Sequence, residues 1–178
     1  MKELELKLVS ELMKNSRRSD RELAKILGVS QPTVSRMVKK LEEQGVIKEY
    51  TMIPDFTKLG FEIMSIDFVT LKEPFSEEKL MEIRKQARQT LREGTISAIF
   101  AMRGSGYNAD RAVVAFHEDY STYVEYLNKL KQIPLVVVDQ IGSFLISLDD
   151  KNQYLSLTLS NLGDYITHKK RQESEGES

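Results

Sequence analysis

Two short helical patterns separated by Gly28 constrain the fold more than any other feature of this sequence. Ser19 or Asp20 can cap the first pattern, and Ser30 can cap the second. A glycine at the end of the first pattern suits the left-handed backbone that often terminates a helix. A helix, a tight turn and a second helix are therefore predicted within residues 19–44.

The apolar residues around this turn can hold the two helices at a fixed angle. Ala24 is small enough for a close helix crossing, and Pro32 stands in the first turn of the second helix, where its missing N–H is not needed. Leucines at helical spacing within residues 4–15 predict a further helix that precedes both. Together these segments predict a helix-turn-helix. The residues expected to lock it are Leu23, Leu27, Val29, Val34 and Met37.

The face of the last helix that these buried positions leave outward is polar and basic. Such side chains hydrogen-bond to base edges and phosphates when a helix of this motif enters the major groove. The pattern therefore predicts binding to double-stranded DNA. The alternative is a small helical bundle with a solvated third helix, and it is disfavoured because all features of the motif occur together. The predicted DNA contacts are Gln31, Thr33, Ser35, Arg36, Lys39 and Lys40.

The charge distribution agrees with this interpretation, although the net charge of −1 by itself does not. Residues 1–50 carry 11 Lys and Arg against 8 Asp and Glu, whereas residues 51–178 carry 15 against 19. The N-terminal part is thus the one expected to meet phosphate. The absence of cysteine excludes disulfides and thiolate metal sites. Acidic residues interrupt the apolar positions at the N-terminus, so no signal peptide or membrane span is expected, and a cytoplasmic location is predicted.

The periodicity of apolar residues changes after a turn-forming segment. A strand, a helix, two strands, a helix and a strand are predicted at residues 61–71, 77–92, 96–102, 111–116, 120–132 and 135–146. This order is that of a ferredoxin-like domain. The predicted fold class is α+β: a winged helix-turn-helix at residues 1–53, a linker at 54–60, a ferredoxin-like βαββαβ domain at 61–148 and a C-terminal extension at 149–178.

Three further predictions concern the segments outside these elements. A strand or wing-like extension is expected at residues 46–53. In the C-terminal extension, another strand is expected at residues 154–159 and a helix from residue 160. Residues 172–178 are polar and highly charged, and they are expected to be disordered.

Residues 4–60 resemble the Lrp/AsnC family of regulators, the leucine-responsive and asparagine-synthetase "feast/famine" proteins. The matching text is RELAKILGVS at residues 21–30, then Val34, Arg36 and Val38, then KKLEEQGVI at 39–47, and finally Leu59-Gly60. The resemblance implies a DNA-binding transcriptional regulator whose ferredoxin-like domain is a sensor and oligomerisation domain. It also implies a small-molecule effector such as an amino acid.

The polar segment at residues 103–110 is the candidate effector-binding loop. It resembles the family's Gly-x-Tyr-Asp turn between two strands but is longer, reading RGSGYNAD. Gly104 and Gly106 lack the rest of any phosphate-binding motif, so they are interpreted as part of a strand–strand turn. The candidate effector ligands are Tyr107, Asn108 and Asp110.

Assembly into a homodimer, or a larger even-numbered oligomer, is predicted because one recognition helix rarely gives enough specificity. Such helices work in pairs about 34 Å apart. The apolar runs within residues 63–69 and 136–146 predict a sheet face that needs a partner, and a second sheet related by twofold symmetry is the simplest one. The alternative is that the tail covers this face within one chain, through Tyr154, Leu155, Leu157 and Leu159.

No catalytic or metal site is predicted. The two histidines, His117 and His168, are isolated, and no nucleophile–base or metal-ligand spacing is found. Neither enzymatic activity nor a cofactor is therefore expected. The alternative function is a regulatory module that binds a small molecule or a protein without DNA, and such a module would not need a basic outward face on the third helix.

Overall fold

The computed structural model describes residues 2–71, 76–92, 97–132, 138–152 and 154–176. In chain order its elements are α1 (Glu3–Lys14), α2 (Asp20–Leu27), α3 (Gln31–Glu43), β1 (Ile63–Leu71), α4 (Glu77–Arg92), β2 (Ala98–Gly106), β3 (Ala109–His117), α5 (Tyr120–Lys131), β4 (Val138–Ser147) and α6 (Ser160–Gly176). The chain forms two compact units. The first unit contains Met1–Ile53 and Gln153–Ser178, and the second contains Pro54–Asn152.

The first unit is built on the predicted three-helix arrangement. Ser19 caps α2 by accepting from the Glu22 N–H, and the Glu22 carboxylate accepts from the Ser19 N–H in return. Gly28 ends α2 in the left-handed conformation, with φ of 67°. The core side chains of this unit come from all three helices and are at most 8% exposed: Leu8, Leu23, Ala24, Val34 and Leu41.

The strand expected at residues 46–53 is not formed. This segment is irregular, and no strand occurs in the described residues of the first unit. A strand needs a neighbouring strand for its backbone hydrogen bonds, and here the amides of Val46 and Ile47 instead donate to the Leu41 carbonyl at the end of α3. Ile47 packs against the helical core.

The second unit is a four-stranded antiparallel sheet in the order β2-β3-β1-β4. With α4 and α5 this is the predicted βαββαβ arrangement, and the fold class is confirmed. Helix α5 packs on β1 and β3 through Tyr123, Tyr126 and Leu130. Val69 and Val113 face the same core. Of the predicted strand at residues 135–146, residues 135–137 lie outside the described part of the chain.

The two faces of this sheet have opposite characters. Alternate residues of β1 point to opposite faces, so Ser65, Asp67 and Val69 lie on the side of α5, and Ile66 and Phe68 lie on the other side. The first three are at most 3% exposed. The other side, here called the open face, carries partly or largely exposed apolar side chains: Ile66, Phe68, Phe100, Met102 and Phe144.

The expected linker at residues 54–60 belongs to the second unit. The Phe56 ring stacks on the Phe116 ring of β3 at a centroid distance of 3.9 Å, and Phe61 meets both rings edge-on. A short 3-10 turn at Thr57–Leu59 follows and ends at Gly60, whose φ is 91°. The segment is therefore packed against its own sheet.

The long loop expected at residues 103–110 is also wrong. Strand β2 extends to Gly106 and β3 begins at Ala109, so the turn contains only Tyr107 and Asn108. Both have positive φ, 52° and 54°, as in the two-residue turns whose twist matches that of antiparallel strands. Gly104 and Gly106 lie in the strand before the turn rather than in the turn itself.

The C-terminal residues differ from expectation in two ways. Residues 154–159 are not a strand, and they expose Tyr154, Leu155, Leu157 and Leu159. The expected helix from residue 160 is present, but it continues through residues 172–176, which were expected to be disordered. No proline occurs in residues 160–176, so the helix can continue through this polar segment.

Candidate nucleic-acid interface

Helix α3 presents most of the predicted DNA contacts to solvent. Its first turn contains Pro32, and its inner side is fixed by the buried Val34 and Leu41. The helix therefore cannot rotate without breaking the core. Of the six predicted contacts, Thr33 is partly buried, and the other five are exposed: Gln31, Ser35, Arg36, Lys39 and Lys40.

Some of these side chains are held by the protein itself. The Ser35 hydroxyl donates to the Asp20 carboxylate of α2, so it ties the two helices of the motif together. Thr33 is paired with Ser30, with 2.8 Å between the two hydroxyl oxygens. Arg36 donates from Nε to the Pro32 carbonyl at 3.2 Å, which leaves the outer guanidinium nitrogens available.

Lys40 is paired with a residue of α1. Its Nζ donates to Glu5 Oε1 of α1 at 2.6 Å, and the Glu5 side chain is 8% exposed. This hydrogen bond is the main reason that the pKa of Glu5 is lowered, with a second contribution from the Lys2 N–H. The Glu5–Lys40 pair therefore links α1 to α3. Sequence analysis missed it because the two residues are 35 positions apart.

Gln31 and Lys39 are the least constrained of the set. The Lys39 side chain is 76% exposed and its ammonium lies 3.9 Å from Glu43, which is a weak surface pair. The exposed cations Arg21 and Lys25 of α2 were not among the predicted contacts. They were missed because the prediction considered only the second helix of the motif, although the first helix of such motifs crosses the phosphate backbone.

The segment after α3 is anchored to the first unit. The Tyr50 hydroxyl donates to Glu42 at 2.9 Å, and Ser16 donates to the Thr51 carbonyl at 3.1 Å. Partial burial, with the Glu42 carboxylate beside it, raises the pKa of Tyr50 to about 12. Tyr50 therefore stays protonated and keeps donating this hydrogen bond throughout the neutral pH range.

The second unit contains a groove of about 710 Å³ on the open face of its sheet. Two of the predicted effector ligands, Tyr107 and Asn108, line it, while Asp110 is not among its lining residues. Asp110 instead pairs with Arg111 at 2.6 Å. The polar side chains of the groove that sequence analysis missed are Thr70 and Gln140, whereas Ser143 is in register with Asp67 and its side chain points to the side of α5. Thr70 and Gln140 come from β1 and β4, which only the sheet topology brings beside the β2–β3 turn.

Beneath α5, the same unit buries a polar network. The Ser65 hydroxyl donates to Asp67 at 2.7 Å, and the Tyr126 hydroxyl donates to the same carboxylate oxygen at 2.9 Å. His117 Nε2 lies 2.8 Å from the Ser65 oxygen, and because the single Ser65 proton goes to Asp67, the imidazole N–H must be the donor. A catalytic triad would place histidine between serine and carboxylate, so this arrangement does not activate Ser65.

In the residues that the structure describes, no group of three or more His, Asp or Glu side chains is arranged to hold a metal ion. Within the same residues, no helix is long and apolar enough to cross a membrane.

Comparison with known proteins finds relatives of the first unit in sequence and of the whole chain in fold. Residues 1–48 match the winged helix-turn-helix DNA-binding family. The HTH-type transcriptional regulator LrpC of Bacillus subtilis is 40% identical over 70 residues, which are 39% of this chain and 49% of LrpC. The structure of LrpC superposes with a TM-score of 0.66 at 27% identity, over 87% of this chain and 99% of that one.

Two further structures share the fold. An AsnC family transcriptional regulator from Agrobacterium tumefaciens has a TM-score of 0.69 at 20% identity, over 91% of this chain and 99% of that chain. A transcriptional regulator from Neisseria meningitidis, solved as a complex with L-Met, has a TM-score of 0.69 at 17% identity, over 91% and 99%. In sequence, the chain spans about half the length of the curated relatives it matches. The predicted resemblance to the Lrp/AsnC regulators is confirmed, and residues 1–48 are a winged helix-turn-helix DNA-binding domain.

Proposed function

We propose that this chain is a sequence-specific, DNA-binding transcriptional regulator that assembles with itself and responds to a small molecule. The observation that carries the proposal is the outward face of α3, where Gln31, Arg36 and Lys39 are exposed on a helix fixed by a buried core. The relatives named above are transcriptional regulators, so no enzymatic activity is part of the proposal. A cytoplasmic location is proposed because the target is genomic DNA.

The six predicted residues are proposed to have different roles in DNA binding. Gln31, Arg36 and Lys39 can reach bases and phosphates directly. Ser35, Thr33 and Lys40 have partners within the unit, at Asp20, Ser30 and Glu5. We assign these three residues two roles. They hold the recognition helix α3 in place, and their remaining hydrogen-bond donors contact the DNA backbone.

The test is the affinity of alanine variants for a duplex selected from random-sequence DNA with the wild-type chain. Arg36→Ala should cost roughly 1–3 kcal/mol and relax selectivity if the guanidinium pairs with guanine. Lys39→Ala should weaken binding to all sequences and flatten the salt dependence. Lys151→Ala, an exposed cation of the second unit, is the matched control. Unchanged affinity and selectivity in the Gln31, Arg36, Lys39 triple alanine variant would contradict DNA binding by α3 and favour a module that regulates without DNA.

Self-assembly is proposed to use the open face of the sheet. Met102 is 62% exposed and Phe144 is 64% exposed there, while Phe100 is 42% exposed. Exposed apolar side chains clustered on one sheet face favour burial against a partner, and a twofold-related copy supplies an identical face. The alternative, in which the tail covers this face, is not supported, because Tyr154, Leu155, Leu157 and Leu159 are themselves 47% or more exposed.

The groove beside Tyr107 and Asn108 is proposed as the effector site. Its wall combines apolar side chains, such as Ile66 and Phe68, with the polar side chains of Thr70 and Gln140, a mixture that suits an amino acid. The fold likeness to a regulator solved with L-Met supports the choice of amino acids as first ligands. Asp110 is kept in the proposal only as a support for the turn, since it pairs with Arg111.

The effector proposal can be tested by thermal-shift and calorimetric screening of the proteinogenic amino acids, starting with L-Met. Tyr107→Ala should abolish binding of any ligand found, because Tyr107 is 87% exposed at the rim of the groove and packs on Phe68 at 5.0 Å between ring centroids. Tyr154→Ala removes another largely exposed tyrosine, which lies outside the groove, and should leave binding unchanged. If no amino acid binds the wild type, the second unit is an assembly domain without an amino-acid effector.

A further inference from the structure

Helix α6 packs on α1 with unusually little space between them. Gly163 of α6 is buried, and a Cβ at that position would lie 3.0 Å from the Ser10 carbonyl oxygen and 3.3 Å from the Ser10 hydroxyl oxygen. Ser10 is 1% exposed, so α6 seals this side of α1. Any side chain larger than hydrogen at position 163 must therefore push the two helices apart.

A charged network flanks this contact. Asp164, next to Gly163, accepts from Lys14 Nζ at 2.6 Å, and Lys14 also pairs with Glu11 at 3.0 Å. Arg18 binds the other oxygen of Glu11. The hydrogen bond to Asp164 is the main reason that the pKa of Lys14 is raised. The network therefore fixes the position of α6 along the axis of α1, in addition to holding the two helices together.

The opposite side of α1 carries the recognition helix. Successive residues of an α-helix are rotated by about 100°, so Glu5 and Leu8 lie roughly opposite Ser10 and Lys14. Leu8 is 0% exposed in the core with Val34 and Leu41 of α3, and Glu5 binds Lys40 of α3. Helix α1 is thus held between α6 and α3.

We infer that α6 positions the recognition helix through α1, and that Gly163 and Asp164 are positioning residues for DNA binding. The inference rests on the proposed DNA-binding function. A packed helix transmits a displacement because the contacts on both of its sides are close and specific. Moving α6 away from Ser10 is therefore expected to change where α1 holds Lys40 and Leu41, and with them the exposed residues of α3.

The absence of cysteine allows α6 docking and DNA binding to be measured separately in one chain. In a Ser10→Cys background, the rate of thiol labelling reports whether α6 covers α1. Fluorescence anisotropy with a duplex selected on the wild-type chain reports DNA affinity. Gly163→Val should accelerate labelling and weaken DNA binding by roughly tenfold, within the usual range of coupling between distant sites. The salt dependence of binding should stay unchanged, because α6 is expected to act through α1 and not by contacting phosphate.

Two companion variants separate positioning from loss of folding. Leu162→Val places the same β-branched residue at a neighbouring position of α6 that is 50% exposed, and it should change neither measurement. Asp164→Asn removes only the charge, and it should give a smaller loss of affinity that Asp164→Glu restores. A helical circular-dichroism signal at wild-type level in Gly163→Val shows that the unit remains folded.

The labelling rate and the DNA affinity together test the role of α6. Faster labelling with unchanged affinity would show that α6 is a bystander and would overturn the inference. Unchanged labelling in Gly163→Val would contradict the close packing on which the inference depends. If the wild-type chain selects no DNA sequence at all, the proposed function has failed rather than this inference, and the labelling result still tests whether α6 covers α1.

Discussion

The two units differ in the kind of side chain that each buries most completely. In the first unit the fully buried large side chains include Leu8, Leu23 and Leu41. In the second unit they include Asp67 and Ser65, while Met102 and Phe144 remain largely exposed. The first unit thus closes on an apolar core, whereas the second unit places a buried polar network beside its apolar core and leaves apolar side chains exposed on the other face of its sheet.

A core truncation in the first unit should have the largest effect on stability. Leu8→Ala removes a side chain that is 0% exposed and belongs to the core that α1, α2 and α3 form together. The expected loss of unfolding free energy is about 2–5 kcal/mol, from lost burial and the remaining cavity. Chemical denaturation measures the loss, and hydrogen exchange should locate it in the first unit. A loss below about 1 kcal/mol would contradict this core assignment.

The corresponding change on the open face should affect assembly instead. Met102→Lys places a charge among exposed apolar side chains, so the folded chain should tolerate it, but a face-to-face dimer should not. Sedimentation should show a dimer for the wild type and a monomer for the variant at micromolar concentration. Glu118→Lys, an exposed residue at the end of β3, is the matched control. A wild-type monomer, with and without DNA, would show that the open face serves another purpose.

The smallest effect should be a pH dependence that arises in the polar network. Burial lowers the pKa of His117, and the nearby Asp67 only partly opposes this. As pH falls below the unfolded value of about 6.5, the unfolded chain takes up the proton first, so stability should decline between about pH 7 and 5. Denaturation across this range should show a flatter dependence in His117→Gln, whereas the exposed-site control His168→Gln should keep the wild-type slope.

The carboxylates provide an internal check on this assignment. The pKa of Glu5 is lowered from 4.5, mainly by Lys40, so the stability that it contributes is lost only as pH falls below that value. A decline confined to pH below about 4.5 would therefore assign the effect to carboxylates and contradict the role of His117.

Local signals in the sequence were sufficient to predict the DNA-binding motif. The capping pair of Ser19 and Glu22 and the glycine at position 28 act within a few residues, so the pattern carries the geometry with it. Helix α4 was predicted with the bounds that the structure has, Glu77–Arg92. The β2–β3 turn was predicted too long because a two-residue turn through Tyr107 requires positive φ at a non-glycine residue, which sequence patterns disfavour.

The features that the sequence did not predict depend on contacts between distant residues. Ser65 and His117 meet across 52 positions because the register pairs Ile63 with His117 in neighbouring strands. The grouping of α6 with the N-terminal helices depends on the hydrogen at position 163 and on the ion pair between Lys14 and Asp164, which are 150 positions apart. In the sequence, both charged residues look like ordinary surface residues. No periodicity of either segment indicates its partner.

The position of α6 in the chain has a consequence for biosynthesis. A ribosome makes α1, α2 and α3 first, then residues 54–152, and only then the helix that covers Ser10. The sheet unit can therefore fold as a unit during synthesis while the domain that precedes it still lacks one of its helices. The first unit is formed by segments on both sides of the sheet unit, so a chain whose synthesis stops before α6 would contain α3 without the helix that covers Ser10.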